Sequence, residues 1–233
     1  MDVKGCGMTS TPSDKTWKME GVRGPMAFLA DIHGNLAALD AVLAALKDDH
    51  VETVFVAGDL LLGGADPLAV WMRLMEVHAR CVRGTTDRAL ALMEPARLNP
   101  KTDEERAAAQ RFTDARESLG ELILAKLRRL PEALRLEMPD GREWVLVHGS
   151  PMDPDEAITA DLDDEEVGAL IGDDPADVVI CGSGHVPFVR AIDHVTVVSV
   201  GSVGASPEGR TAHYTLMMPS AEGPRIEQKW VAY

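Results

Sequence analysis

The sequence predicts a layered α/β sandwich with one helical excursion, and three observations carry that reading. Short apolar runs alternate with helix-periodic stretches from Met26 to Arg83. Residues 88–134 are helical in composition. After Pro139-Asp140-Gly141 the chain becomes a series of β-branched runs separated by turn residues. The first pattern implies βαβ units with a largely parallel sheet and right-handed crossovers. The last implies a second, strand-rich half.

The elements follow in order. Residues 1–24 contain no apolar core segment and read as a flexible leader before a folded unit at 25–233. Met26 to Ala30 is a short apolar run that suits a buried strand. Asn35 to Lys47 places Leu36, Leu39, Val42, Leu43 and Leu46 on one helical face, with Asn35 where a cap belongs. Val51 to Ala57 is the next strand. Pro67 to Val77 is a helix opened by Asp66 as cap and Pro67 in the first turn. Ala79 to Arg83 is a third strand. The excursion at 88–134 suits either a cap over a site or a dimerisation surface. Glu143 to Val147, Val178 to Cys181, Val195 to Val200 and Thr211 to Met217 are the later strands.

Composition narrows the function. Among 233 residues, 38 acids against 23 Lys and Arg give a net charge of −15, which disfavours nucleic acid as a partner. Eleven of the acids lie in 153–177 without a single Lys or Arg, which reads as a solvated loop and helix. No apolar run approaches the roughly 18 residues of a membrane helix. Cys6, Cys81 and Cys181 form no closely spaced pair and read as free thiols in a reducing cytoplasm.

Ligand-type residues cluster just after the predicted strand ends. Asp31-Ile32-His33 follows the first, Gly58-Asp59 the second and Gly84-Thr85-Thr86-Asp87 the third. His148-Gly149 follows the fourth, and Gly182-Ser183-Gly184-His185 the fifth. In open α/β sheets the carboxyl ends of strands share one edge, where ligands bind. The five loops can therefore gather Asp31, His33, Asp59, His148 and His185. Two carboxylates with three imidazoles suit a borderline divalent cation such as Mn²⁺, Fe²⁺, Ni²⁺ or Zn²⁺.

This ordered set of motifs, with Val186-Pro187-Phe188 and Gly201-Ser202-Val203-Gly204, resembles the calcineurin-like metallophosphoesterase superfamily, in its small bacterial and archaeal single-domain phosphodiesterase branch. The resemblance implies a four-layer α/β/β/α sandwich. It implies Asp31, His33 and His185 as ligands of a first metal, Asp59 as a carboxylate bridging two metals, and His148 as a ligand of the second. It also implies Mn²⁺ first among the candidate ions. Asp59, His148 and Asp87 would serve the chemistry, Asp87 by orienting a loop or a ligand histidine. Two ions some 3.5–4 Å apart clamp a phosphoryl group and acidify a water.

Three positions depart from the family pattern. Thr85 stands where the family has an Asn ligand, Thr86 where it has a His or Cys facing the leaving group, and Ser183 where it has a His. Thr85 and Ser183 are left as weak hydroxyl donors, so one tight site and one weak site are expected. Arg83, Thr85, Thr86 and Asn35 are candidates to touch substrate phosphate, with Arg88, Arg190, Ser150 and Ser202 behind them; for the arginines a surface salt bridge, and for Asn35 a capping role, is the plain alternative. The expected function is hydrolysis of a small phosphomonoester, phosphodiester or nucleotide through a metal-bound hydroxide. The alternative is a degenerate relative that binds a metal or phosphate as a scaffold or sensor. A homo-oligomer is left open.

Overall fold

A computed structural model describes residues 8–9, 16–20 and 24–233. In chain order these form β1 (Met8–Thr9), β2 (Thr16–Glu20), β3 (Met26–Leu29), α1 (Leu36–Asp48), β4 (Thr53–Ala57), α2 (Pro67–Glu76), β5 (Arg80–Val82), α3 (Thr85–Leu92) and α4 (Asp103–Arg128). They continue with β6 (Ala133–Glu137), β7 (Glu143–Val147), α5 (Asp164–Ile171), β8 (Val178–Cys181), β9 (Pro187–Ile192), β10 (Val195–Val200), β11 (Thr211–Met218) and β12 (Arg225–Ala232).

The strands form two sheets. One has the order β12-β11-β3-β4-β5, the other β1-β2-β6-β7-β8-β10-β9. β3, β4 and β5 pair in parallel, as the βαβ reading requires. Period-two alternation then sorts side chains into three cores. On β3, Ala27 and Leu29 face α1, α2 and α4, while Met26 and Phe28 face the other sheet. On β7, Trp144 and Leu146 enter the space between sheets, while Val145 and Val147 face α5. Three apolar layers between four structural layers are what an α/β/β/α sandwich requires. In the central layer Phe28 stacks on Phe55 with ring centroids 5.0 Å apart, and Trp144 tilts against Phe28 at 6.5 Å.

The helices follow local rules. Asn35 caps α1 by accepting from the Ala38 N–H, and Thr102 with Glu105 forms a reciprocal capping box at α4. The acidic run holds α5, capped by Asp163 and Glu166, as its composition suggests.

Two expectations need correction. The leader is not structureless throughout. Thr16–Glu20 pairs in parallel with β6, and Met19 is buried in the core between the sheets. The rest of 1–23, Cys6 included, lies outside the described residues apart from Met8–Thr9. The excursion at 88–134 is also not one helical unit. α3 already starts at Thr85, a 3-10 turn spans Pro95–Arg97, and α4 carries a non-helical Gly120. β6 starts at Ala133, inside the expected excursion. α4 is no detached cap, because Phe112, Leu119, Leu124 and Leu127 are buried in the same core as α1 and α2. No helix among the described residues is long and apolar enough to cross a membrane.

Candidate metal centre

The carboxyl ends of β3, β4, β7 and β8, with the loop after β5, converge on one edge. Two groups of ligand-type atoms result, each with all its atoms within 4.8 Å of one another: Asp31, His33 and His185, and Asp31, Asp59 and His148. All five residues expected from the strand ends are therefore brought together. Asp31 belongs to both groups, a position the resemblance implied for Asp59. Asp59 nonetheless touches both sides, with Oδ1 3.5 Å from His148 Nε2 and Oδ2 3.9 Å from His33 Nε2.

Backbone contacts aim these side chains. His33 Nδ1 donates to the Leu62 carbonyl at 2.8 Å, and His148 Nδ1 to the Ala57 carbonyl at 2.7 Å. A proton fixed on Nδ1 leaves Nε2 with a lone pair, and both Nε2 atoms face the cluster. His185 Nε2 lies 3.4 Å from His33 Nε2 and 3.6 Å from Asp31 Oδ1. Asp31 Oδ2 accepts the Ser183 N–H, whereas Asp31 Oδ1 is fully buried with no hydrogen-bond partner among the described residues. A buried carboxylate oxygen without a partner is costly unless a cation meets it. Together with the inward imidazoles, it makes the donor set fit a divalent ion.

The backbone at the cluster is unusual. Asp31, His33, Asp59, Ser183 and His185 all have positive φ, between 49° and 61°. Residues other than glycine avoid this region, and such outliers gather at functional sites. Close approach adds a second constraint. A Cβ on Gly84 would sit 2.2 Å from Asp59 N and Oδ1, and one on Gly58 would meet Gly84 Cα at 2.6 Å.

Asp87 ties these loops together. Its two oxygens accept from Leu60 N and Gly84 N, each at 3.0 Å. Burial, and then the Asp59 charge, push its carboxyl up to about 7 against the two backbone hydrogen bonds. It bonds no ligand histidine, so it acts by positioning loops. His185 is held above the usual imidazole range, first by the Asp31 carboxylate, with smaller help from Asp59 and the Ala205 backbone. A cation must displace that proton. Metal affinity should therefore fall as pH drops through the His185 titration, which the Asp31 carboxylate raises, by up to tenfold per unit. Calorimetric titration with Mn²⁺ at several pH values checks this; a flat profile from pH 5 to 8 would remove His185 from the ligand set.

Most of the remaining candidates are engaged elsewhere, while Thr86 and Ser183 hold the cluster's carboxylates through their backbone. Asn35 Oδ1 caps α1, and its Nδ2 donates to Gly204 O and Tyr233 Oη. Arg83 pairs with Glu132 at 2.7 Å and donates to the Arg128 carbonyl. Arg190 donates to the Leu162 and Ala160 carbonyls. Ser150 and Ser202 bond the carbonyls of Asp153 and Asp31. The Thr85 hydroxyl donates to Asp155 at 2.8 Å, and Arg88 pairs with the same carboxylate. Thr86 sends its N–H to Asp59 Oδ1 at 2.8 Å, and its hydroxyl is buried without a partner. Ser183 reaches Asp31 through its N–H. Cys81 and Cys181 are free and buried, and burial pushes the Cys181 thiol up to about 12, so it stays protonated. Asp155 is the site-rim residue the sequence concealed, because it sits within an acidic run that looked uniformly solvated.

Known proteins agree with this architecture. The chain is 26% identical over 172 residues to the protein MJ0912 of Methanocaldococcus jannaschii, an alignment covering 73% of this chain and 66%, just under two thirds, of that one. The crystal structure of PH1004 from Pyrococcus horikoshii superposes with a TM-score of 0.75 at 23% identity, covering 90% of this chain and 88% of that one. A metallophosphoesterase from Sphaerobacter thermophilus superposes at 0.70 and 22% identity, covering 89% and 88%. The calcineurin-like phosphoesterase superfamily domain matches residues 25–222, which take in every strand and loop that builds the cluster, and the chain belongs to that superfamily.

Proposed function

We propose that the chain is a metal-dependent phosphoesterase acting on a small phosphate ester, with one tight and one weak cation position. The observation that carries this is Asp31, which is shared by both ligand groups and whose buried Oδ1 faces His185 with no hydrogen-bond partner among the described residues. Two carboxylates and three imidazoles suit a borderline divalent cation, Mn²⁺, Fe²⁺, Ni²⁺ or Zn²⁺, and the family resemblance puts Mn²⁺ first. A divalent cation bound there supplies a Lewis acid for the phosphoryl oxygens and an acidified water as nucleophile. Asp31 and Asp59 provide the negative charge that holds it. The Leu62 and Ala57 carbonyls keep His33 and His148 in the ligating tautomer. Thr86 holds Asp59 Oδ1 through its N–H, which keeps that carboxylate turned into the cluster. Asp87 keeps the Asp59 and Gly84 loops in register.

One observation favours a second reading, a metal- or phosphate-binding scaffold without turnover. The Thr85 hydroxyl is spent on Asp155, which leaves the second group thin in ligands. Metal counting and turnover separate the two. Protein stripped with chelator and reloaded with Mn²⁺, Ni²⁺ or Co²⁺ should hydrolyse p-nitrophenyl phosphate or bis(p-nitrophenyl) phosphate, and chelation should abolish this. One ion per chain with no turnover under any metal would establish the scaffold instead.

A further inference from the structure

β12 ends the five-stranded sheet, and among the described residues no strand pairs with its outer edge. The antiparallel ladder to β11 fixes which of its groups face outward. His213 stands opposite Trp230, and Thr215 opposite Gln228. Just beyond the Thr211–Ala232 pair, Tyr233 N donates to the Arg210 carbonyl at 3.2 Å, so the odd-numbered residues of β12 bond to β11. His213 agrees, because its N–H turns away from β12 to the Ser202 carbonyl at 2.9 Å. Bonded and non-bonded pairs alternate along such a ladder. The N–H and C=O groups of Ile226, Gln228, Trp230 and Ala232 therefore point off the edge of the sheet. A row of this kind is a template for another strand. β12 has neither of two common blocks to such pairing: it contains no proline, and its register with β11 runs through all eight residues without a bulge.

The side chains define the strand that fits. Trp230 is 67% exposed, on the same face as Ile226, which packs against the core between the sheets. Glu227 and Lys229 alternate with them on the opposite face. A second β12 laid antiparallel along the first, with Gln228 opposite Gln228, has a two-fold axis at that residue. Ile226 then meets the partner's Trp230 and Glu227 meets the partner's Lys229, each twice by symmetry. Aromatic–aliphatic and opposite-charge pairs stabilise a ladder, and like charges directly opposite destabilise it. Moving the axis by one residue sets Glu227 on Glu227 in one direction and Lys229 on Lys229 in the other, so the charges select the Gln228 register. Both groups have capacity for the new pair. Lys229 Nζ holds Asp49 at 2.5 Å and Arg225 holds Glu227 at 2.5 Å, which leaves donors on the ammonium and lone pairs on the carboxylate. In a chain of net charge −15, β12 carries two cations and one acid, so two copies approach there with little local repulsion.

We propose that two copies of this chain associate through β12, edge to edge about Gln228, joining their five-stranded sheets into one of ten strands.

Sedimentation equilibrium of the full chain from about 1 to 500 µM tests this, since a contact of one strand per copy belongs to the smaller, weaker class of interface. The mass should rise from one chain to two across that range. Amide exchange reads the same event by residue. The Gln228 and Trp230 amides should slow about tenfold where the mass doubles, whereas those of Glu227 and Lys229, bonded to β11, should be slow throughout. Glu227→Lys sets lysine against lysine at both crossings, and Lys229→Glu sets acid against acid; each alone should weaken the dimer about tenfold. An equal mixture of the two variants restores both Glu–Lys pairs and should dimerise like the parent protein. Gln228→Pro removes an outward N–H without touching the β11 ladder and should leave a folded monomer by circular dichroism.

A single chain mass at every concentration overturns the proposal. A dimer that survives Gln228→Pro and both charge reversals also overturns it, because the contact then lies elsewhere. Gln228 and Trp230 amides already slow in the monomer do the same, because another part of the chain then covers the edge. Should one variant fail to fold, the exchange data and the remaining variants decide.

Discussion

Asp59→Asn should lower kcat/KM for phosphate esters by about 10³-fold, the rate equivalent of the several kcal/mol that metal-assisted charge stabilisation supplies. The substitution is conservative for the fold. An amide oxygen can still accept the Thr86 N–H that Asp59 Oδ1 now takes at 2.8 Å. What disappears is one negative charge at the centre of the cluster, beside His33, His148 and Asp87. Metal affinity should drop in parallel. A spectroscopic signature accompanies the loss. The Asp59 charge is the second cause of the raised Asp87 carboxyl, so the Asp87 titration should move down from about 7 in the variant. Carbon-detected NMR of that carboxyl, recorded with the steady-state kinetics, checks both. Activity within tenfold of the parent protein would show that Asp59 holds no reacting group.

Gly84→Ala should be strongly damaging for a single added methyl. Backbone conformation is not the reason, because φ −88° and ψ 177° suit alanine well. The reason is contact: the new Cβ would lie 2.2 Å from both Asp59 N and Asp59 Oδ1. Neither atom can yield cheaply, since Asp59 occupies a left-handed conformation and Oδ1 is bonded to Thr86 N. Overpacking of this kind costs about 3 kcal/mol, or roughly 10 °C in Tm for a chain of this size. Metal affinity should fall by about 10–100-fold, because the displaced loop carries Asp59. Gly168→Ala is the matched control, with nothing within 4 Å of its Cβ and a place inside α5. It should be neutral or stabilising by up to about 1 kcal/mol. A Gly84→Ala protein that melts with the parent would refute the steric account.

Much of this was legible in the residues. β3, α1, β4, α2 and β5 announce themselves because apolar period and caps agree, and the ligand residues sit at strand ends, where topology alone brings them together. Other elements hid behind composition. β6, Ala133–Glu137, is written in helix formers, and only the alternation of buried Leu134 and Leu136 with half-buried Arg135 marks it as a strand. β12 is an edge strand rich in charge, so its partly exposed alternation lacks the usual β-branched signature. β2 was masked by the polar segment around it, although Trp17 and Met19 share one face. At the site, what failed was pairing at a distance. Arg83 looked ready for phosphate, but its partner Glu132 lies 49 residues away.

The left-handed backbone at Asp31, His33, Asp59, Ser183 and His185 has a consequence for how the protein can change. Each such residue costs on the order of 1 kcal/mol relative to glycine. A chain freed from any chemical duty would become sturdier by exchanging them, one at a time, for glycine or asparagine. Random drift therefore has a downhill route out of this arrangement, and any laboratory search for heat resistance alone should find it. Libraries screened for melting temperature without a turnover filter should accumulate substitutions at these five positions as readily as at His50, His78 and Asp193, which share the left-handed backbone away from the cluster, dismantling the cation cage as they toughen the fold.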